Sequence, residues 1–352
     1  MDRFFGRGQG GGFLDRRPEQ RASPNPQDLC RRPGGFFHMF EIGSQINEVR
    51  IDGSLEKLRE DLEFFCRIGL EVVEIPPHGL DVIRNGKLDS VRMKQIREML
   101  RDYPFIYTVH APNPLNLMES EKGEVQLSVF RSTLHFSLEI GADVLVYHGG
   151  RFRPEETFST RRLRWPFAES NMKKLDREIR LLRQLADEFP EMFIGIENAR
   201  PYRHHSPYSY AERLNDLAVT VQTVSRENVG ITLDFGHLHL SSRFYAEDPL
   251  PLLTKAAPWI KHCHVHDNFG QAAFFQEKQQ THQLPFGKGD AHMPVGQGTI
   301  PFTAWLSIIM PRYQGSFVLE LRSRYFQETA AARDRFRQLL APLLSIETPP
   351  MS

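Results

Sequence analysis

Short apolar runs alternate along most of the chain with longer segments whose apolar residues recur every three or four positions. Runs of the first kind are typical of buried parallel strands, and segments of the second kind are typical of amphipathic helices. Segment 54–69 illustrates the helical pattern, with Leu58 and Leu62 on one predicted face. Ser54 stands where an N-cap is expected and Gly69 where the helix should stop.

Eight strands follow from this pattern, and a helical segment follows each of them. The predicted strands cover residues 39–46, 71–77, 105–112, 143–150, 193–198, 229–237, 260–268 and 316–322. Crossovers long enough to hold a helix predict a parallel sheet. Eight such units in roughly 300 residues predict an α/β fold of the (β/α)8 barrel type, which typically has ~250 residues plus insertions. The main insertion is 269–299, after the seventh strand, and a smaller one covers 151–165.

An open, doubly wound sheet is the alternative fold. Such sheets usually have fewer strands and often carry a glycine-rich G-x-G-x-x-G turn after the first strand. The turn after Ile46 has no such motif. The barrel is therefore the favoured prediction.

Residues 1–38 differ in composition from the rest, with glycine- and arginine-rich stretches and little that could build a core. They hold seven arginines and four acidic residues, a net +3. We predict a disordered tail here, a barrel over 39–346 and a short C-terminal tail over 347–352. Met39 directly precedes the first predicted strand, so 1–38 is also compatible with an extension of the gene model.

Composition excludes several classes of protein. Of the 352 residues, 44 are Lys or Arg and 44 are Asp or Glu, which argues against a highly basic nucleic-acid binder but not against a local basic patch. The three cysteines form no C-x-x-C pair, which excludes a disulfide-rich scaffold and fits a reducing cytosol. No apolar run approaches the ~20 residues of a membrane helix. We therefore expect a cytoplasmic protein.

Histidines and carboxylates stand at the C-terminal ends of strands three to eight and in the loop after strand seven. They are His110, His148, Glu197, Asp234, His237, His264, His266, Asp267, Asp290, His292 and Glu320. Catalytic groups of barrels lie at this end of the strands, and buried carboxylates are costly unless they are paired or bound to metal. A set of imidazole and carboxylate groups that contains no thiolate is typical of sites for Zn²⁺, Mn²⁺ or Mg²⁺. The pattern predicts a metal site at the barrel mouth.

Spacing adds local detail. His262, His264 and His266 alternate, so all three should face the same side of strand seven. We expect one of them to be a ligand and the others to support it or fill the lumen. Asp290 and His292 are also two residues apart, so an extended loop would direct both side chains to the same place.

The motifs VHAPNPLNL, YHGG, IEN, LDFGH, HVHDN, GDAHMPVGQGTI and LELR occur in this order over about 45–325. In these motifs the chain resembles the xylose-isomerase-like TIM-barrel superfamily. That superfamily contains sugar isomerases and epimerases and also endonuclease IV, which acts at abasic sites in DNA. The resemblance implies a divalent-metal enzyme with one to three ions, Zn²⁺ or Mn²⁺ first and Mg²⁺ as a further option.

Endonuclease IV-type enzymes use nine ligands around three zinc ions, and each position has a matching side chain here. The implied ligands are His110, His148, Glu197, Asp234, His237, His264, Asp290, His292 and Glu320. His264 is chosen over His266 because the family motif reads His-x-x-Asp.

The isomerases and epimerases keep a smaller set around one metal. The resemblance maps this set to Glu197, Asp234, His264 and Glu320, with His237 near the substrate. The implied catalytic residues are Glu197, Glu320 and His237, with the two glutamates exchanging a proton through an enediolate.

Two features favour the isomerase or epimerase reading. The segment after strand two, IPPHGLDVIRNGKLD, lacks the basic and aromatic DNA-gripping pattern of endonuclease IV. Gln297 stands where that enzyme usually has Glu. We therefore predict a metal-dependent sugar or sugar-phosphate isomerase or epimerase. An endonuclease IV-like zinc phosphoesterase acting on abasic DNA is the alternative, and a non-catalytic binding barrel is a third class.

The expected partner is a small sugar or sugar phosphate, with DNA only under the alternative and no membrane. The sequence is compatible with a homo-oligomer as well as with a monomer. We expect specificity to come from 76–88 and 269–299. Four cationic residues are predicted near the mouth and either grip a phosphate or carboxylate or are ordinary surface charges: Arg151, Arg200, His204 and Arg322.

Overall fold

The computed structural model describes Cys30 and residues 40–121, 123–158, 169–274 and 280–344. Apart from Cys30, the predicted tails 1–38 and 347–352 lie outside the described residues and stay predictions.

Eight parallel strands close into a barrel, which confirms the predicted fold class. The strands are β1 Ile42–Gln45, β2 Val72–Ile75, β3 Ile106–His110, β4 Ala142–His148, β5 Phe193–Glu197, β6 Val229–Asp234, β7 Ile260–Val265 and β8 Phe317–Leu319. Each pairs with its neighbours in the sequence, and β1 pairs with β8 to complete the ring. Seven of the predicted strands contain an observed one, and the eighth, 143–150, overlaps β4, which begins one residue earlier at Ala142. Observed strands are shorter, because the barrel-mouth loops and helix starts take up the ends of the predicted runs.

At least one helix follows each strand, as predicted. The helices of the described residues are α1 Glu48–Ile51, α2 Leu55–Arg67, α3 Ser90–Leu100, α4 Gly123–Ile140, α5 Glu169–Glu188, α6 Leu214–Val224, α7 Phe235–Tyr245, α8 Pro249–Ala256, α9 Gln280–Gln283, α10 Phe302–Ile309 and α11 Thr329–Leu344. The predicted N-cap of α2 is confirmed, since the Ser54 side chain accepts a hydrogen bond from the Lys57 amide. Gly69, with φ of 70°, follows its end. The predicted strict alternation of one strand with one helix is wrong in detail. The structure adds α1 after β1, α8 after β6 and α9 after β7.

A small hairpin between β2 and α3 was not predicted. Its strands are Ile83–Arg84 and Lys87–Leu88. Asn85 and Gly86 connect them with φ angles of 48° and 76°. Asn-Gly is the preferred pair for a two-residue hairpin turn because both residues tolerate positive φ. The signal was present in the sequence, but each strand is only two residues long.

Apolar side chains fill the layer between strands and helices, whereas polar side chains fill the barrel interior. Val73 and Leu145 of the strands and Phe130 of α4 are completely buried in the outer layer. Glu74 and His264 are as deeply buried but belong to the polar interior. Successive residues of a strand point to opposite sides of the sheet, which explains this division.

Cys30 and Cys66 form a disulfide between the N-terminal region and α2. This corrects the expectation of reduced cysteines, which rested on an odd cysteine count without a C-x-x-C pair. Cys263 is free and buried on β7. Among the described helices, none combines the length and apolar character needed to cross a membrane.

Candidate metal centre at the barrel mouth

The strand register brings the predicted ligands together at one end of the barrel. His148 of β4 is level with Glu197 of β5, and Asp234 of β6 is level with His264 of β7. Because all strands run in the same direction, their last residues share one rim. All nine predicted ligands lie in three clusters at this rim, of which the first two share Glu197.

The first cluster consists of His110, His148 and Glu197. The Nε2 atoms of His110 and His148 lie 3.3 Å and 2.8 Å from Glu197 Oε2. Nδ1 of His110 donates to the carbonyl oxygen of Ala111 at 2.8 Å, which directs Nε2 towards the carboxylate. The cluster therefore presents two imidazoles to one buried carboxylate.

The second cluster consists of Glu197, Asp234, His264 and Glu320, whose potential ligand atoms lie within 4.8 Å of one another. His264 Nδ1 lies 3.4 Å from Glu197 Oε1 and 3.7 Å from Glu320 Oε2. Glu197 thus belongs to both clusters. Three carboxylates and one imidazole face a common point here.

The third cluster consists of His237, His266, Asp290 and His292. Asp290 Oδ2 lies 3.3 Å from His237 Nε2 and 2.7 Å from His292 Nε2. Asp290 and His292 do meet, as their spacing suggested. His292 adopts a positive φ of 45° and donates from Nδ1 to the carbonyl oxygen of Glu320 at 2.7 Å.

The start of α7 positions two of these residues. Asp234 caps the helix, and its Oδ1 accepts a hydrogen bond from the His237 amide at 2.6 Å. Between them, position 236 requires glycine because the His266 ring packs directly against the backbone there. A Cβ on Gly236 would lie 2.0 Å from His266 Cε1. The β6–α7 junction therefore fixes Asp234, His237 and His266 together.

Glu74 was missed by the sequence reasoning. It is completely buried on β2, and His262 Nε2 and His264 Nε2 lie 3.2 Å and 3.1 Å from its carboxylate. Thr108 donates to Oε2 at 3.0 Å. The available signal was an acidic residue inside an otherwise apolar strand, one position before its last residue, Ile75. His262 is accordingly a lumen residue bound to Glu74.

His266 was set aside in favour of His264, but the structure places both in the clusters. His266 Nε2 lies 3.0 Å from Asp234 Oδ2 and 3.7 Å from Asp290 Oδ1. Asp267 has a different role, because its carboxylate accepts hydrogen bonds from backbone amides of the following loop. The donors are Asn268, Gly296, Gly298 and Ile300.

The two glutamates of the second cluster have opposite pKa shifts. Burial opposes the charge of Glu197, but the charges of His148 and His264 outweigh it and hold its pKa well below the usual range. Burial raises the pKa of Glu320, and the nearby Glu197 carboxylate adds to this rise. Opposite shifts in a pair of acids are typical of a base and an acid that work together.

The two histidines of the first cluster also differ. Burial opposes the charge of His110, but the nearby Glu197 carboxylate raises its pKa to about 9. Burial lowers the pKa of His148 to about 4, although Glu197 acts in the opposite direction. The Glu197 carboxylate thus favours the charged form of His110, whereas His148 stays in its neutral form at neutral pH.

The donor set fits a divalent metal on two observations. Nδ1 of His110, His237 and His292 each donates to a backbone carbonyl, which directs Nε2 at a carboxylate. An imidazole nitrogen that faces a carboxylate requires a proton or a metal ion between them, and metal-binding histidines usually have such a carbonyl partner. Several buried donor atoms also lack any hydrogen-bond partner: Glu197 Oε1 and Oε2, His110 Nε2, His264 Nδ1, Asp290 Oδ1 and Glu320 Oε2.

A cavity of about 180 Å³ opens above the clusters. Segment 76–88 contributes Pro76 and His78 to its lining, and the loop after β7 contributes Asp290 and His292. Of the four predicted cationic residues, Arg200 and Arg322 line this cavity, and Arg151 lines an adjoining one of about 150 Å³. His204 instead lies against the Phe274 ring.

Residues 62–341 match the family model described as xylose isomerase-like TIM barrel. The chain belongs to this family. Membership confirms the resemblance drawn from the motifs. No curated protein shows a significant match.

Solved structures of family barrels share this fold. One is a D-tagatose 3-epimerase-like protein, with 20% identity and a TM-score of 0.63 over 87% of this chain and 98% of that chain. A second is D-psicose 3-epimerase with D-tagatose from Clostridium cellulolyticum H10, with 13% identity and a TM-score of 0.60 over 85% and 99%. A third is a xylose isomerase-like TIM barrel protein from Mycobacterium smegmatis in complex with magnesium, with 16% identity and a TM-score of 0.61 over 88% and 100%.

Proposed function

We propose that this protein is a divalent-metal-dependent isomerase or epimerase of a small sugar or sugar phosphate. The observation that carries the proposal is the second cluster, in which two glutamates, an aspartate and a histidine share one point at the barrel mouth. This is the ligand set that the single-metal members of the superfamily are expected to use. The likeness to structures of D-tagatose and D-psicose 3-epimerases supports the same class.

The second cluster would hold the essential metal ion. Glu197, Asp234, His264 and Glu320 supply hard oxygen donors and one imidazole, which suits Mn²⁺, Mg²⁺ or Zn²⁺. When bound, the ion would polarise the substrate carbonyl and lower the barrier to removing a proton from the neighbouring carbon.

Proton transfer falls to the two glutamates. One carboxylate removes the proton from the carbon beside the carbonyl, and the other, in its acid form, returns a proton to that carbon from the opposite face. The surrounding protein groups hold the pKa of Glu197 low and raise that of Glu320, which supports Glu197 as the base and Glu320 as the acid. In an isomerisation the proton returns instead to the former carbonyl carbon, and a hydroxyl proton moves from the neighbouring oxygen to the former carbonyl oxygen.

The cavity suits a small polar substrate. Its walls carry hydrogen-bonding groups such as Gln45, Asn47 and Asn113, together with His237. A sugar presents several hydroxyls in a small volume, and a cavity of about 180 Å³ encloses such a molecule better than a polymer. His237 is the proposed contact to a substrate oxygen, since its ring lines this wall.

A zinc-dependent phosphoesterase is the second candidate, supported by the first and third clusters. A one-ion isomerase has no need of the histidine pair His110 and His148 or of the group around Asp290. Multi-metal phosphoesterases use such additional sites to generate hydroxide and stabilise the leaving oxygen. The presence of all nine predicted ligands at the barrel mouth is the reason to retain the phosphoesterase as a candidate.

One pair of assays distinguishes the candidates. Purified protein loaded with Mn²⁺ is incubated in D₂O with ketohexoses, ketopentoses and their phosphates, and deuterium incorporation at the epimerised carbon is followed by NMR. The same preparation, and one loaded with Zn²⁺, is incubated with a duplex that contains one abasic site. Exchange without strand cleavage supports the isomerase or epimerase. Cleavage without exchange would replace it with the phosphoesterase.

A further inference from the structure

Arg200 contacts two donor atoms of the third cluster. Its Nη1 lies 3.2 Å from Asp290 Oδ2 and 3.3 Å from His237 Nε2. Those two atoms lie 3.3 Å from each other. The guanidinium therefore completes a nearly equilateral triangle with the two groups that would bind an ion at this cluster.

The tautomer of His237 strengthens this contact. Its Nδ1 lies 2.8 Å from the carbonyl oxygen of Asn198, which can only accept a hydrogen bond. In the neutral imidazole, which is the form that binds a metal ion, Nδ1 therefore carries the proton and Nε2 carries the lone pair. Arg200 is always protonated and only donates, so the lone pair that a metal would use accepts a hydrogen bond from Arg200.

Arg200 is held in this position from its other side. Its Nη2 donates to the Tyr202 hydroxyl at 3.1 Å, and the guanidinium lies 5.4 Å from the centre of the Tyr202 ring. The backbone carbonyl of Arg200 accepts a hydrogen bond from the Tyr208 hydroxyl at 3.0 Å. Two tyrosines thus fix the arginine next to the cluster.

Charge separates the third cluster from the other two. Five carboxylates belong to the clusters or support them: Glu74, Glu197, Asp234, Asp290 and Glu320. Within the part of the chain that the structure describes, Asp290 alone among them forms an ion pair with an arginine. The carboxylates of the first and second clusters therefore face imidazoles, which a metal ion can replace as the balancing charge by displacing a proton, whereas that of the third also faces a permanent positive charge.

We propose that Arg200 is the resident cation of the third cluster and excludes a metal ion from it. A divalent ion bound to Asp290 Oδ2 and His237 Nε2 would compete with the guanidinium for the same two atoms and would be repelled by its charge. The protein would then hold at most two ions, at the first and second clusters. This inference rests on the proposed metal centre but not on the reaction that the centre catalyses.

The inference bears on the choice between the two candidate reactions. A three-ion phosphoesterase needs the third cluster to accept a metal and to leave a coordination position open. An arginine that occupies the cluster supplies a fixed positive charge instead, facing the cavity beside His237. This arrangement favours the isomerase or epimerase, because that reaction requires the second cluster alone.

Counting bound ions tests the inference. Wild-type protein and Arg200→Met are saturated with Mn²⁺, freed of excess by gel filtration, and analysed for metal and protein content. We expect no more than two ions per chain in the wild type and one additional ion in Arg200→Met. Three ions in the wild type, or equal counts in both proteins, would overturn the inference.

Arg322→Met is the matched control. Arg322 lines the same cavity and donates to the backbone oxygen of Asp290 at 3.0 Å, but it contacts neither carboxylate oxygen. Its loss removes one positive charge from the cavity without freeing a ligand, so the ion count should equal that of the wild type. An additional ion in this control would show that general charge, rather than the contact of Arg200, decides the count.

Arg200→Gln serves as a second variant if Arg200→Met does not fold, and the wild-type count is decisive by itself. Absence of sugar exchange together with the expected ion counts would reject the proposed reaction and leave the role of Arg200 standing. Absence of bound Mn²⁺ in every protein would reject the metal centre and the inference with it.

Discussion

Glu74 and His264 form a buried carboxylate–imidazole pair, with 3.1 Å between Glu74 Oε1 and His264 Nε2. This contact leaves Nδ1 of His264 directed at Glu197 and Glu320. A carboxylate behind a ligand histidine fixes its tautomer and ring orientation. Glu74 is thus a positioning residue for the second cluster.

Glu74→Gln should weaken metal binding without removing a ligand. An amide cannot offer carboxylate oxygens to both His262 and His264, so His264 loses the partner that orients it. We expect the dissociation constant for Mn²⁺ to rise roughly 10- to 100-fold, the usual effect of losing such a partner. Titration calorimetry measures the constant. Thr108→Val, which removes only a hydroxyl donor to Glu74, should have a smaller effect, and equal effects would contradict this role for Glu74.

Glu197→Gln should reduce turnover by roughly 10²- to 10⁴-fold, the usual contribution of an acid–base group. Glu197 also joins the first and second clusters, so metal content should fall as well. Deuterium exchange from D₂O and metal analysis measure the two effects. Glu139→Gln, at an exposed ion pair with Arg97, is the control and should behave as the wild type. Near-normal exchange in Glu197→Gln would exclude Glu197 from a central role.

Asp267→Asn should destabilise the loop that follows β7. Asp267 Oδ2 accepts hydrogen bonds from the Gly296 and Gly298 amides, both at 2.9 Å, and an amide cannot supply two anionic acceptors. We expect the free energy of unfolding to fall by about 2–4 kcal/mol, measured by urea denaturation. Asp248→Asn replaces one good N-cap of α8 with another and should change it by less than about 0.5 kcal/mol. Similar decreases in the free energy of unfolding for both variants would mean that the Asp267 carboxylate does not hold the loop after β7.

Glu178→Gln should change the pH dependence of stability. Burial raises the pKa of Glu178 from 4.5 to about 7. The folded protein therefore binds this proton more tightly than the unfolded chain, so the stabilisation is complete below about pH 4.5 and is lost as the pH rises through about 7. We expect Glu178→Gln to match the wild type at pH 5 but to exceed its free energy of unfolding by roughly 1–3 kcal/mol at pH 8.

Hydrogen bonds at Glu178 make this substitution suitable, because its Oε1 accepts from the Gly150 amide and the Tyr210 hydroxyl, and a glutamine oxygen can do the same. Glu188→Gln, at an exposed ion pair with Arg131, should differ little from the wild type at both pH values. A constant difference between Glu178→Gln and the wild type across pH would argue against a raised pKa.

Much of the fold and of the site could be predicted from local pattern. Strand and helix periods depend on neighbouring residues, so the eight strands and the helices between them were predictable. Parallel strands present their C-terminal ends at one rim, so residues such as His148 and Glu197 could be assigned to one site without coordinates. The hairpin at Asn85 and Gly86 was equally local, but its strands are too short to give a periodic signal.

Contacts across the barrel could not be predicted in this way. Glu74 and His262 are 188 positions apart in the sequence and meet only because closure of the sheet brings β2 and β7 across a narrow lumen. Arg200 reaches Asp290 through the folding of two separate loops over the same mouth.

The sequence by itself determined the barrel and the histidines and carboxylates that share one rim of it, because these depend on periodicity and on strand direction. The tertiary structure decided which ligands share a carboxylate, which histidine nitrogen faces the centre, and which cluster is already neutralised by an arginine. Those properties depend on distances of about 3 Å between groups far apart in the chain, and only the closed barrel fixes them.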